Sequence, residues 1–355
     1  HPVAHSFPTR RSSDLVDGCP SNLKLTREEV QVELDKRRPG QSKVTTSRGE
    51  ADEVEFLSGV FEERTLGTPL SMIVYNRDVD SSKYEALKDT PRPNHADLSY
   101  RLKYGHVDWR GGGRASARET VGRVAAGAVA GRILGEVGVE VYAYTKSVGS
   151  IESGETLESG FKGASDLIYS NPVRALDSGK AKLMEDEILD GGASRDSVGG
   201  VVEAVAFNVP TGVGEPVFDK LHAVLGKALL SIPGCKAFEF GDGFRLSGMR
   251  GSQAIDEYYM EGSTVKSKTN HSGGLQGGIT YGMPLVFRAG FKPTASIGLP
   301  QETVNLKDSN KEIIRIEGRH DPCIVPRAVP VVEAMAKIVL ADQLMVAGKI
   351  PRKIE

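Results

Sequence analysis

The stretch from Trp109 to Val137 sets the strongest limit on what this chain can fold into. It runs as WRGGGRAS into a helical pattern in which Val121, Val124, Ala125, Ala128 and Ile133 share one face. Gly122, Ala126, Gly127, Ala130 and Gly131 fill much of the remainder. A helix with small residues all round has no strongly polar face to give to water, and it lets neighbouring backbones come close. The pattern therefore predicts a helix in the middle of the fold. Its start is expected at Ser116, with Ser116 and Glu119 forming a reciprocal capping box.

Around it, turn signals, strand-like runs and a few marked helices alternate at ordinary spacing from Val16 onward. TREEVQVELDK, from Thr26 to Lys36, reads as a short amphipathic helix capped by Thr26 and ending before Pro39-Gly40. Leu70 to Tyr75, Val141 to Thr145 and the apolar run Val201 to Val209 read as strands. Helices are expected from Lys220 to Ser231, begun by Pro216, and from Val331 to Ala347, begun by Pro330. No repeat or low-complexity linker interrupts this span, so residues 16–355 are read as one α+β domain.

Charge and cysteine content remove several function classes. Lys and Arg number 45 against 47 Asp and Glu, a net charge of -2, which argues against a nucleic-acid partner because such proteins need a basic excess. No run approaches the roughly 18 apolar residues of a membrane span. The 3 cysteines, Cys19, Cys235 and Cys323, lie far apart and fit neither a metal site nor a disulfide framework, pointing to buried thiols in a reducing, cytoplasmic compartment. The first residues, HPVAHSFPTRRSSDL, lack the apolar core of a secretory signal and read as a polar Ser/Arg-rich segment.

Chemistry can gather at several places. The turn before the central helix, Arg110 to Arg114, places two arginines and free amides at a helix start, which suits a phosphate as well as it suits a plain surface turn. Asn270 to Gly282 holds 5 glycines in 13 residues but matches neither the dinucleotide nor the P-loop pattern, and a hairpin corner explains it equally well. Lys292-Pro293-Thr294-Ala295-Ser296 offers a cation and two hydroxyls on a stiff segment. His95 lies on a turn held by Pro91 and Pro93, where an imidazole can exchange protons near neutral pH. Asp321, beside Arg319 and His320, is a candidate base. Arg37 and Arg38, with Lys43 and Arg48 beyond, make a further cationic loop, and cationic loops on a near-neutral chain suggest a multiply anionic small ligand. His106, His222 and His271 carry no local constellation.

Together these segments resemble the chorismate synthase family. The match runs through Val16 to Pro20, Arg37 to Gly40, Arg92 to Asp97, Arg110 to Thr120, Gly273 to Gly282, Lys292 to Ile297 and Arg319 to Cys323, in the family's order. The resemblance implies a β-α-β sandwich with central helices between antiparallel sheets, assembled as a homotetramer. It implies an anti-1,4 elimination of phosphate from 5-enolpyruvylshikimate 3-phosphate that needs reduced FMN, with NADPH as a reductant. By similarity, Arg114, Ala115, Ser116, Gly234, Gly277, Lys292, Pro293, Thr294, Ala295, Ser296 and Arg319 surround FMN. Arg37, Lys43, Arg48 and Arg118 meet the substrate or NADPH, with Lys43 standing where an arginine is common. His95 protonates near the flavin, and Asp321 takes part in removing the C6 proton.

The chain departs from the family at its start. The family's Gly-Glu-Ser-His-Gly motif, whose histidine is the proton donor to the leaving phosphate, is missing: nine residues before Asp17 stands Pro8, and His5 is out of register. Residues 1–15 are therefore expected to be foreign to the family, and the chain to lack one catalytic acid and the first strand. Two other functions fit that departure: a catalytically impaired FMN- and phosphate-binding paralogue, and a flavin reductase using NADPH.

Overall fold

The computed structural model describes residues 11–42, 44–45, 51–76, 85, 87–109, 116–157, 163–316 and 321–355. Its middle layer is helical. It is built from α1 (Arg27–Arg37), α3 (Thr120–Gly135), α6 (Leu221–Leu230) and α8 (Val325–Val346), with α3 lying most extensively on α8. On one side α8 and α6 meet an antiparallel sheet ordered β10-β15-β9-β7-β8. Its strands are β7 (Glu140–Val148), β8 (Ile151–Glu152), β9 (Gly200–Phe207), β10 (Cys235–Phe240) and β15 (Leu285–Phe291). On the other side α3 meets a sheet ordered β1-β6-β3, from β1 (Arg11–Val16), β3 (Val54–Ser58) and β6 (Leu70–Tyr75). This is the sandwich of helices between antiparallel sheets that the sequence led us to expect.

Smaller elements complete it. β2 (Ser21–Lys24), β4 (Val60–Phe61) and β5 (Arg64–Leu66) form a small sheet. Three hairpins follow: β11 (Tyr258–Glu261) with β12 (Thr264–Ser267), β13 (Leu275–Gln276) with β14 (Ile279–Thr280), and β16 (Gln301–Val304) with β17 (Lys311–Ile314). The remaining helices are α2 (Asp97–Tyr104), α4 (Ala164–Ile168), α5 (Ser178–Ala193) and α7 (Gly251–Ala254).

Of the 16 residues of α3, 12 are buried, as a helix covered on both sides requires. It lies very near α8: a Cβ placed at Gly127 would overlap Ala334 Cβ and sit 2.6 Å from Ala334 Cα. All three cysteines are buried free thiols, and burial pushes Cys19 up to about 11 and Cys323 up to about 12.

Several boundaries differ from the sequence reading. Ser116 accepts from the Arg118 amide at 3.2 Å and caps a 3-10 turn over Ala117–Glu119, so the regular helix starts only at Thr120. The expected capping box does not form, because the Glu119 carboxylate is taken by Arg123 one turn on, at 2.6 Å. The helix read from Lys220 begins at Leu221, with Pro216 well outside it. α8 begins at Val325, with Pro326 in its first turn and Pro330 inside it. A proline there has no N–H for the Pro326 carbonyl, and the buried Arg174 supplies the missing donor from Nη1 at 2.5 Å. Its Nη2 donates to the Lys36 carbonyl and its plane lies 4.9 Å from the Tyr169 ring centre, so one guanidinium joins α8 to α1. α5, capped by Asp177 accepting from the Lys180 amide at 3.0 Å, had not been read at all. The thiols, α1 with its Thr26 cap, and the strands β6, β7 and β9 agree with the sequence, and Glu29 adds a reciprocal capping bond that was not read.

The first strand, expected to be missing, is present. β1 pairs antiparallel with β6 from Arg11 opposite Tyr75 to Val16 opposite Leu70. A backbone ladder needs no particular side chains, but the packing does, and Asp14 shows the strain of its place. It is 4% exposed with its carboxyl against Gly122 of α3, and burial, reinforced by the nearby Glu119 charge, pushes it from an ordinary 3.8 up to about 7.

Two outcomes follow. Because Asp14 keeps its proton in the folded state while the unfolded chain releases it, stability should fall as pH rises from about 4 to about 7 and level off above, and Asp14→Asn should flatten that slope in urea-unfolding midpoints. A slope unchanged in the variant would assign it elsewhere. Gly127→Ala gains up to about 1 kcal/mol in helix propensity, yet over-packing costs roughly 1–3 kcal/mol. With backbone as the obstacle we expect a net loss, read as a lowered melting temperature.

Candidate active site

The turn carrying His95 is fixed from both sides. Pro91 and Pro93 limit the backbone between them, and Thr303 Oγ1 donates to the Pro91 carbonyl at 2.6 Å. Thr90 Oγ1 donates to Glu312 at 2.9 Å, so the β16–β17 hairpin braces the turn. Within it Arg92, 7% exposed, grips Asp97 through Nε at 2.8 Å and Nη2 at 3.0 Å. His95 Nδ1 lies 2.5 Å from Asp97 Oδ1. Burial works against the Asp97 charge, but hydrogen bonds from His95 and Arg92 outweigh it and hold the carboxyl well below the usual range.

This turn meets the segment at 292–296. Arg92 Nη1 donates to Ser296 Oγ at 3.3 Å, and Lys292 Nζ donates to the Asn94 carbonyl at 3.0 Å. Burial, with help from the nearby Lys236 charge, lowers the Lys292 ammonium from its ordinary value. The segment is held elsewhere by backbone and side-chain bonds. The Lys292 amide donates to the Gly234 carbonyl at 3.0 Å, Gln301 donates to the Ala295 carbonyl at 3.1 Å, and Ser197 donates to the Thr294 carbonyl at 2.9 Å. Pro293 packs so near Gly199 that a Cβ there would lie 3.0 Å from the ring. Gly234 has φ 86, and a Cβ on it would meet Ile324 Cδ1 at 2.7 Å, so only glycine fits.

On the far side stands Asp321. Thr294 Oγ1 donates to its carbonyl at 3.3 Å, and Arg327 Nη1 of α8 donates to its Oδ2 at 2.6 Å. Arg327 Nε also reaches the Arg37 carbonyl at 3.3 Å, which carries the network to the end of α1. There Arg37, 2% exposed, bonds Asp52 Oδ2 at 3.0 Å, Thr120 Oγ1 at 2.8 Å and the Ala117 carbonyl at 3.0 Å. Arg118 bonds the other oxygen of Asp52. A charge-assisted cluster of this kind is geometrically stiff.

Hydrogen bonds together with the 292–296 chain segment thus connect His95, Lys292, Thr294, Ser296, Gly234, Asp321, Arg37, Arg118 and Ser116, with Pro293 and Ala295 on the same segment. Gly277 lies apart, at the β13–β14 turn, and no bond given among the described residues joins it to this set. Lys43, Arg48, Arg114, Ala115 and Arg319 lie outside the described residues.

Arg92, Asp97, Asp52 and Arg327 were not read from the sequence. Arg92 and Asp97 were within reach, since they flank His95 in one short motif. Asp52 and Arg327 gave no local signal. His271, read as lacking a constellation, pairs with Asp242 at 2.8 Å, a partner 29 positions away in the chain. Among the described residues no group of three or more His, Cys, Asp or Glu could hold a metal ion. Removing the shared acceptor in Asp52→Ala leaves two guanidinium groups without it, and a broken buried ion pair costs about 3–5 kcal/mol. We expect a loss of that order in chemical denaturation, and a loss below about 1 kcal/mol would show that the clamp contributes little.

Comparison with known proteins identifies the family. The family model described as chorismate synthase matches residues 10–345. A chorismate synthase from Methanocella arvoryzae is 52% identical over 336 residues, spanning 95% of this chain and 90% of the relative. One from Synechocystis sp. is 51% identical over 333 residues, spanning 93% of this chain and 91% of the relative. A solved structure titled "Crystal Structure of Chorismate Synthase" superposes with a TM-score of 0.77 at 30% identity, covering 98% of this chain and 91% of that one. With the family model spanning nearly the whole chain and relatives at about half identity, the chain belongs to the chorismate synthase family.

Proposed function

We propose that the chain eliminates phosphate from 5-enolpyruvylshikimate 3-phosphate to give chorismate, using reduced FMN. The observation that carries this reading is the meeting of a histidine turn, a lysine-and-hydroxyl segment and Asp321 in one braced network, in a chain of this family. The donor set suits a phosphorylated cofactor: Lys292, Thr294 and Ser296 lie on a segment without regular secondary structure, with Arg92 beside Ser296. By resemblance Arg114, Ala115, Ser116, Gly234, Gly277 and Arg319 join them. When bound, reduced FMN supplies electron density that assists departure of the phosphate.

The chain's own residues do the rest. His95 holds and delivers a proton beside the cofactor. Asp321, oriented by Arg327, takes part in accepting the proton that leaves C6 as the C3–O bond to phosphate breaks. The cations Arg37, Lys43, Arg48 and Arg118 are assigned to the anionic substrate or NADPH, with Arg37 and Arg118 also locked on Asp52. NADPH as reductant, a homotetramer and a cytoplasmic location belong to the same reading. Exposed Phe218 and Phe244 are side chains that an assembly would cover. Among the described residues no helix is long and apolar enough to cross a membrane.

We also propose that residues 1–15 are foreign to a domain comprising 16–355, although β1 draws on Arg11 to Leu15. The decisive measurement is anaerobic phosphate release from 5-enolpyruvylshikimate 3-phosphate with dithionite-reduced FMN. It compares this chain with one carrying Gly-Glu-Ser-His-Gly in register. Restoring the proton donor should raise the rate about 10² to 10⁴-fold. Release from neither chain would overturn the lyase reading.

A further inference from the structure

We propose that Asp97 is the positioning residue of His95: it holds the imidazole with a proton on Nδ1, leaving Nε2 as the atom that gains and loses the exchanging proton, while Arg92 locks Asp97 and ties it to the Lys292–Ser296 segment. The inference deepens the lyase reading and rests on it only for the role of the proton.

The geometry decides the tautomer. Two groups crowd His95 Nδ1: Asp97 Oδ1 at 2.5 Å and Arg92 Nη2 at 3.1 Å. They make opposite demands, since a guanidinium needs a bare nitrogen and a carboxylate needs N–H. Asp97 takes Arg92 Nε on one oxygen and Nη2 on the other, and the Arg92 amide approaches it as well at 3.3 Å. Three donors on one carboxylate leave it ionised and able only to accept. The shorter contact must then be Nδ1–H donating to Asp97, and the Arg92 hydrogens are directed to Asp97 instead of to the ring.

Other charged groups sit around this pair without competing for Nδ1. Lys292 bonds the Asn94 carbonyl, and Asp321 with Arg327 lies beyond Thr294. Asp97 opens α2, where the helix end also favours a negative charge. The consequence for Asp97→Asn is specific. Its amide oxygen would be claimed by Arg92, turning the NH₂ toward Nδ1 and forcing the proton to Nε2.

The test uses the full chain labelled with 15N-histidine, with His95 assigned by comparison against His95→Asn. Long-range 1H–15N correlation above the imidazole titration should show Nδ1–H in the parent and Nε2–H in Asp97→Asn. Anaerobic turnover of Asp97→Asn should fall about 10² to 10⁴-fold in kcat with KM changed only several-fold, and Asp97→Glu should recover part of it. An Nε2–H signal in the parent, or a parent-like tautomer and kcat in Asp97→Asn, would overturn the proposal. Because the tautomer is read without turnover, an Nδ1–H parent supports the positioning role even where neither it nor the chain with the restored N-terminus releases phosphate, the outcome that sinks the lyase reading. If Asp97→Asn does not fold, the parent spectrum and Asp97→Glu still decide.

Discussion

The closeness of α3 to α8 governs the rest of the architecture. Gly127 gives Ala334 room that no larger residue would leave, so two helices share one thin layer. Each sheet can then bury an apolar face against that layer from its own side, and apolar burial of this kind is the main favourable term in folding. The layer is not wholly apolar. Lys337 of α8 is partly buried, yet the Glu333 and Glu33 carboxylates more than offset the cost of burial and raise its ammonium. The charges occur where α8 faces α1, so the interior is tied by ion pairs at the side nearest the site.

The candidate site is assembled across that interior rather than on one loop. The His95 turn arrives from before α2, the Lys292–Ser296 segment leaves β15, Asp321 precedes α8, and Arg37 closes α1. Bonds cross between the contributors: Lys292 to the Asn94 carbonyl, Arg92 to Ser296, Thr294 to the Asp321 carbonyl, and Arg327 to both Asp321 and the Arg37 carbonyl. Such mutual bonding fixes positions before any ligand arrives, which is what a proton-transfer site needs.

Much of this was legible beforehand, and the misses share a cause. The small-residue pattern of α3, the thiols and the strands follow from local composition, and the structure carries them. Two helix starts were misread where a side chain outside the expected pattern intervened. Arg123 took the carboxylate expected to cap Ser116, and Arg174 made a proline tolerable inside α8. Asp52 reaches Arg118 66 positions away and Arg327 reaches the Arg37 carbonyl 290 positions away, separations that no local spacing rule spans. β1 was missed for the opposite reason: its pairing with β6 is carried by backbone, which forgives an unfamiliar sequence until a side chain such as Asp14 reaches the core.

The guanidinium of Arg174 has a consequence for how this chain can change over time. It exists where it does because Pro330 cannot serve the Pro326 carbonyl. Exchange Pro330 alone for a residue with an amide hydrogen, and the helix reclaims that carbonyl, leaving a buried cation short of an acceptor. Exchange Arg174 alone, and the carbonyl is orphaned while the link to the end of α1 is cut. Neither position can change singly without cost, so a change at one calls for a matching change at the other to keep the link between α1 and α8.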